Sequence, residues 1–126
     1  MIVAGLGFRA NVTAASLRAV LDAAQHAAPA GCNFTALATL ADKAATPALQ
    51  TLAQDANLPV HALKRDQIAQ IATPTQSPRI QTLFATGSLA EALALAAAGP
   101  GARLLTPRHT SPDGTATAAL AESLTP

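Results

Sequence analysis

The amino-acid sequence predicts a single α/β domain, one mixed sheet of about five strands with helices on its faces. Three observations carry that expectation. Short apolar runs alternate with helical periodicity through the first half of the chain, in the order strand, helix, strand, helix, strand. A serine-capped, alanine-rich helix follows at residue 88, and two further strand-like runs close the chain as a pair. The 126 residues supply one hydrophobic core, so the domain is expected to span residues 1–126.

Residues 2–6 are an apolar run, read as a buried first strand that ends at a Gly5-Leu6-Gly7 turn. A helix begins near Thr13, a good N-cap. Leu17, Val20, Leu21 and Ala24 then fall on one helical face, and the helix stops before Pro29. Residues 33–40 form the second predicted strand. Thr46-Pro47 has the form of an N-cap followed by proline at the first helical position, and Leu49, Leu52, Ala53 and Ala56 continue that helix. Residues 58–63 give a short third strand with Pro59 near its start, where a missing N–H is tolerated. A short helix over residues 65–71 precedes a loop at 73–78, whose two prolines exclude regular helix.

Ser88 with Glu91 three residues later is a capping box, and Leu89, Ala92, Leu93 and Ala96 form the face behind it. Gly99-Pro100 stops that helix. Residues 102–106 and 115–120 are the closing strand pair, expected to run antiparallel, with Arg108, His109, Asp113 and Gly114 in the loop between them.

Composition excludes several function classes. Half the residues are hydrophobic, mostly alanine, and there is no Trp or Tyr, so the core is expected to be thin, with helices close to the sheet. A net charge of +1 without a basic tail argues against nucleic acid as a partner. The lone Cys32 forms no intrachain disulfide, and no metal site or cofactor is expected. The N-terminus has no positive residue before its apolar run and fails as a secretory signal. No stretch reaches the roughly 20 apolar residues of a membrane span. A cytoplasmic protein with no membrane partner is the expectation.

The motifs leave little for self-sufficient catalysis. Gly5-Leu6-Gly7-Phe8-Arg9-Ala10 formally fits a dinucleotide fingerprint. The helix starts too late for it, however, and Ala28-Pro29-Ala30-Gly31 stands where the ribose-binding acid belongs. The plainer alternative is a tight turn whose glycines supply positive φ. His26, His61 and His109 lack metal-ligand spacing, His26 reads as a solvated helix residue, and Cys32 lacks a basic partner. No catalytic residue is identified. What remains is an anion-recognition set, Arg9 and Lys43 with Arg108 as a third possibility, near the carboxyl ends of the parallel strands, where ligands of such sheets bind. Gly5, Gly7 and Arg9 follow the first strand, and Thr39, Asp42 and Lys43 the second. The three cations also read as ordinary surface charges.

Several of these features occur together in one order. Gly5-Leu6-Gly7-Phe8-Arg9 is followed by Leu37-Ala38-Thr39 with Lys43, by Leu58-Pro59-Val60, and by Ser77 with Arg79-Ile80. Gly87-Ser88-Leu89-Ala90-Glu91-Ala92 then opens the last helix, and Thr115-Ala116-Thr117-Ala118 lies in the final strand. In this order the chain resembles the CobE family, which is similar to the C-terminal domain of the CbiG proteins of cobalamin (vitamin B12) biosynthesis. The resemblance runs from Met1 to about Ala119. It departs at Ala41, where the family often carries an acid; here Asp42 is acidic instead. The N-terminal region of CbiG, which resembles a ring-opening enzyme of the anaerobic pathway, is missing.

The resemblance implies a protein of the aerobic pathway that binds a corrin-ring intermediate, as carrier or accessory factor, with other pathway enzymes as partners. Arg9 and Lys43 would take ring carboxylates, and Gly5 and Gly7 would permit close approach. Thr39, Asp42, Ser88, Glu91 and Arg108 complete the candidate ligand-binding set, Ser88 and Glu91 being helix-capping residues first. A hydrolase or lyase acting on the same intermediate, a nucleotide-binding module and a non-catalytic scaffold remain open alternatives.

Overall fold

In the computed structural model, which describes residues 1–84 and 86–124, the chain folds as a five-stranded mixed sheet flanked by helices. The strands are β1 (Ile2–Phe8), β2 (Ala36–Leu40), β3 (Val60–Leu63), β4 (Arg103–Thr110) and β5 (Ala116–Glu122), in the order β3-β2-β1-β5-β4. The pairs β1/β2 and β2/β3 are parallel, and β5 runs antiparallel to both β1 and β4. The helices are α1 (Ala14–Ala27), α2 (Pro47–Ala56), α3 (Arg65–Ile68), α4 (Pro78–Phe84) and α5 (Leu89–Ala98), with a 3-10 turn over Ala41–Lys43 after β2.

Alternation along β1 sends successive side chains to opposite faces and splits the core in two. Ala4 and Leu6 join Leu17, Val20 and Leu21 of α1 and Leu49 and Leu52 of α2 on one face. Val3 joins Ala92, Leu93 and Ala94 of α5 and Ile68 of α3 on the other. The predicted faces of α1 and α2 are buried as read, except that Ala56 is exposed. Thr13 caps α1 by accepting the Ser16 N–H at 3.1 Å. Thr46 occupies the N-cap of α2 without a side-chain bond, proline following it at the start of the helix.

Several expectations need correction. The first strand does not stop at a glycine turn: β1 continues through Phe8, and neither Gly5 nor Gly7 has positive φ. Gly5 is instead where α5 crosses the sheet, and a Cβ there would lie 2.1 Å from the Ala90 carbonyl oxygen and 2.6 Å from the Ala94 nitrogen. The dinucleotide fingerprint is therefore not formed, because its first glycine lies under a helix and α1 starts only at Ala14. Strands β2 and β3 begin later than predicted, at Ala36 and Val60, and α3 is only four residues long. Helix α4 lies where the sequence predicted no element, just after the loop expected over residues 73–78, and starts at Pro78; proline suits a first helical position as it does in α2.

Strand β4 extends to Thr110, so Arg108 and His109 sit on a strand and not in the closing loop. Register shifts flank Thr106, and the exposed Pro107 fits this edge strand because a proline cannot donate to the ladder. The capping box at α5 is absent. Ser88 holds the N-cap position, but its Oγ is buried without a hydrogen-bond partner, and Glu91 bonds elsewhere.

Candidate functional site

Helix α5 can lie close to the sheet because Gly5 and a row of alanines meet there. Beyond the N-terminal end of α5 the carboxyl ends of β1 and β2 stand clear, and a cleft of about 550 Å³ opens over them. That volume lies within the range of ligand sites, about 300–1,000 Å³. The place is the one expected for an open α/β sheet, at the ends of the parallel strands.

Four cations line the cleft, each delivered by a different element. Arg9 follows β1, Lys43 ends the 3-10 turn after β2, Arg79 stands in the first turn of α4, and Arg108 lies on β4. Arg9 and Arg79 are exposed, and Lys43 and Arg108 are half-buried. Lys43 Nζ sits 5.9 Å from the centroid of the Phe8 ring, within cation–π range. Among the described residues, no aspartate or glutamate lines the cleft. An ion pair joins Arg103 to Glu122 at 3.2 Å, outside the lining.

The walls between the charges are apolar. Phe8, Leu40, Ile80, Leu83 and Leu89 supply them, and Leu83 is half exposed. Hydroxyls of Thr39 and Thr117 hold the floor together: Thr39 Oγ1 donates to the Leu6 carbonyl at 2.9 Å and Thr117 Oγ1 to the Gly7 carbonyl at 3.3 Å. At the rim, Asp113 is saturated by donors. It accepts from Ser16 Oγ at 2.5 Å, Ser111 Oγ at 2.7 Å, and Thr115 Oγ1 and N at 2.8 and 3.1 Å. Those donors, Ser16 and Ser111 foremost, hold its carboxyl well below the usual carboxylate range.

Of the residues predicted from sequence, the structure brings Gly7, Arg9, Thr39, Lys43 and Arg108 to the cleft lining. Gly5 lies beneath α5, and Asp42 is exposed outside the lining. Ser88 and Glu91 are fully buried behind the lining. Glu91 accepts hydrogen bonds of 2.9 Å from Thr75 N, Thr75 Oγ1 and Arg108 N. Arg79, Ile80 and Leu83 were missed as lining residues because no helix was predicted after the loop at residues 73–78. The Ser77-Pro78 dipeptide, a helix-start signal like Thr46-Pro47, could have found them.

No group of His, Cys, Asp and Glu among the described residues could hold a metal ion, and no helix there is long and apolar enough to cross a membrane.

Comparison with known proteins places this geometry. The family described as the cobalamin synthesis G C-terminus matches residues 2–121. The crystal structure of CobE, a protein from the cobalamin (vitamin B12) biosynthetic pathway, superposes with a TM-score of 0.80 at 31% identity, over 98% of this chain and 91% of that one. The cobalamin biosynthesis protein chiG from Agrobacterium tumefaciens gives a TM-score of 0.75 at 29% identity, covering 98% and 99% of the two chains. A cobalamin biosynthesis protein G homolog from Sulfolobus solfataricus shares the fold at 18% identity and a TM-score of 0.66, over 95% of this chain and 36% of that chain. No curated protein matches by sequence. With the family matched from the first strand to the last, this chain belongs to the cobalamin synthesis G C-terminus family and is a protein of cobalamin biosynthesis.

Proposed function

We propose that this protein binds a corrin-ring intermediate of the aerobic route in the cleft at the ends of β1 and β2, as a carrier or accessory factor. The observation that supports the reading is the pairing of four cations with an apolar lining free of carboxylates. A corrin intermediate has matching parts, an apolar ring edged by carboxylates. Arg9, Lys43, Arg79 and Arg108 would take the carboxylates while Phe8, Ile80 and Leu89 cover the ring. Among the described residues no Asp, Glu, His or Cys lines the cleft, and Lys43 is left as its one common acid–base group, which favours a binder over a hydrolase or lyase. A nucleotide-binding role loses its motif, because Gly5 and Gly7 are strand residues. Under this reading the protein works in the cytoplasm beside other enzymes of the pathway, its partners when the ligand is handed on.

The test is a titration of the purified protein, followed by absorbance, with cobyrinic acid, a corrin bearing free peripheral carboxylates. Its amidated counterpart serves as the control. Arg9→Ala and Lys43→Ala should each weaken binding of the acid by about 1.5–3 kcal/mol, the worth of one charge-assisted hydrogen bond, and leave folding stability nearly unchanged. Added salt should weaken binding as well, because these cations meet solvent. Equal binding of the acid and the amide, or unchanged affinity in both variants, would refute the proposal.

A further inference from the structure

Glu91 is buried completely, in the first turn of α5, and three donors converge on it. Its Oε1 accepts from Thr75 N, and its Oε2 accepts from both Thr75 Oγ1 and Arg108 N, all at 2.9 Å. Those donors belong to two segments that each carry cleft-lining residues, the approach to α4 and strand β4. On one side, the register shift between Thr106 and His109 takes the Arg108 N–H out of the β4/β5 ladder, and Glu91 accepts it in place of a strand partner. On the other, Thr75 stands two residues before Ser77, which opens α4: Ser77 N donates to Gly87 O, and Gln81 N donates back to Ser77 O. Helix α4 then carries Arg79, Ile80 and Leu83 to the lining.

We infer that Glu91 is a positioning residue, one buried carboxylate that fixes Arg108 and the Arg79-bearing wall relative to each other and so sets the cation spacing that a polycarboxylate meets. The inference rests on the polycarboxylate reading of the cleft and deepens it. Glu91 touches no ligand; it acts through backbone it holds. A carboxylate suits the position because it only accepts, and all three partners donate. Glutamine would turn an NH2 toward either Thr75 N or Arg108 N, neither of which can accept, and so loosen one of the two ties. The helix N-terminus favours the negative charge in this first turn, which helps offset its burial without a cation.

The experiment is a double-mutant cycle between Glu91→Gln and the pair Arg79→Ala/Arg108→Ala, read both by ligand titration and by thermal melting. The probes are cobyrinic acid and benzene hexacarboxylate, a small polycarboxylate that reports the cations without a corrin ring. Glu91→Gln should weaken binding about tenfold in the wild-type background, the scale of one lost hydrogen bond to a charged group. It should have no further effect once both arginines are gone, although its cost in melting temperature persists. An equal loss of affinity in both backgrounds, or none in the wild type, overturns the inference.

If Glu91→Gln does not fold, Thr75→Val removes one of the three donors at a half-buried position and should give a smaller loss with the same dependence on the arginines. A Thr75→Val loss that ignores the arginines overturns the inference in that case. Failure of cobyrinic acid alone, with the hexacarboxylate still bound and still sensitive to Glu91, would remove the corrin reading and leave the positioning role standing.

Discussion

Replacing Gly5 by alanine tests the close approach on which the whole cleft depends. A Cβ on Gly5 would lie 2.1 Å from the Ala90 carbonyl oxygen, 2.6 Å from the Ala94 nitrogen and 3.1 Å from the Ala94 Cα, whereas real contacts essentially never fall below 3.0 Å. All three atoms are backbone, so no rotamer change relieves the clash. Helix α5 must move off the sheet by about 1 Å, and its contacts with β1, β2 and β5 loosen together. Overpacking of this kind costs about 1–3 kcal/mol, occasionally more, and rigid backbone on both sides points to the upper end. Against this stands the gain of about 0.5–1 kcal/mol that alanine normally gives over glycine inside a strand. The net loss should be about 2 kcal/mol, or a melting temperature lower by roughly 5–10 °C for a chain of this size. Circular dichroism on heating and urea titration would measure it. A Gly5→Ala variant as stable as the wild type would refute the packing account and return Gly5 to the candidate ligand contacts.

Ser88→Ala should leave stability unchanged or raise it by about 1 kcal/mol, because the Ser88 hydroxyl is buried without a partner and caps nothing; a loss of capping size would show that the hydroxyl bonds in solution. Asp113→Asn should destabilise the turn between β4 and β5 and its contact with the start of α1, seen as faster amide exchange there. The folded Asp113 carboxyl titrates below its ordinary value of 3.8, so its stabilising contribution is complete above that value and is lost as pH falls further. An acid titration of stability in which wild type and Asp113→Asn lose stability in parallel below that value would contradict this. Glu122→Ala should cost less than about 1 kcal/mol, since the Arg103–Glu122 pair is largely exposed; a larger loss in urea titration would mean that the pair holds the β4/β5 edge.

What the sequence made legible is what local rules govern. The faces of α1 and α2, the end of α5 at Gly99 and the antiparallel closing pair all follow from periodicity and punctuation. The position of the cleft followed from topology alone, which is why Arg9, Thr39 and Lys43 could be placed near one another from their strand ends. Apart from α4, whose start at Ser77-Pro78 is a local signal, the main failures share one cause: a partner distant in sequence. Gly5-Leu6-Gly7 looks like a turn until α5, some 85 residues later, is laid across it. Ser88 and Glu91 have the spacing of a capping box, but three donors from residues 75 and 108 compete for the carboxylate and win it. Arg108 looks like a loop residue because Pro107 interrupts the strand pattern, and only the pairing with β5 shows that β4 continues past it.

The alanine content, uninformative as a motif, is the feature that ties fold to site. Small side chains on α5 and a glycine in β1 let helix and sheet meet at backbone distance, so α5 ends as a thin layer and not a bulky one. Beyond the N-terminal end of α5, the Leu89 side chain walls a cleft whose floor is made by the ends of β1 and β2. The cations stand around this floor on supports of unequal rigidity. Arg9 follows β1 directly, Lys43 ends the three-residue turn after β2, and Arg108 sits on a strand pinned by Glu91. Arg79 alone rides on a short helix of seven residues. That helix is tied before its start by Thr75 to Glu91 and after its end by Thr86 Oγ1 to the Ile71 carbonyl, with Ser77 N to Gly87 O joining the two ends. Side chains on rigid elements bind with less ordering cost than those on short ones. Arg79 should therefore contribute less affinity per charge than Arg9, and Arg79→Ala should weaken cobyrinic acid binding by less than Arg9→Ala does. The reverse ranking would mean that α4 is held in place by the ligand itself.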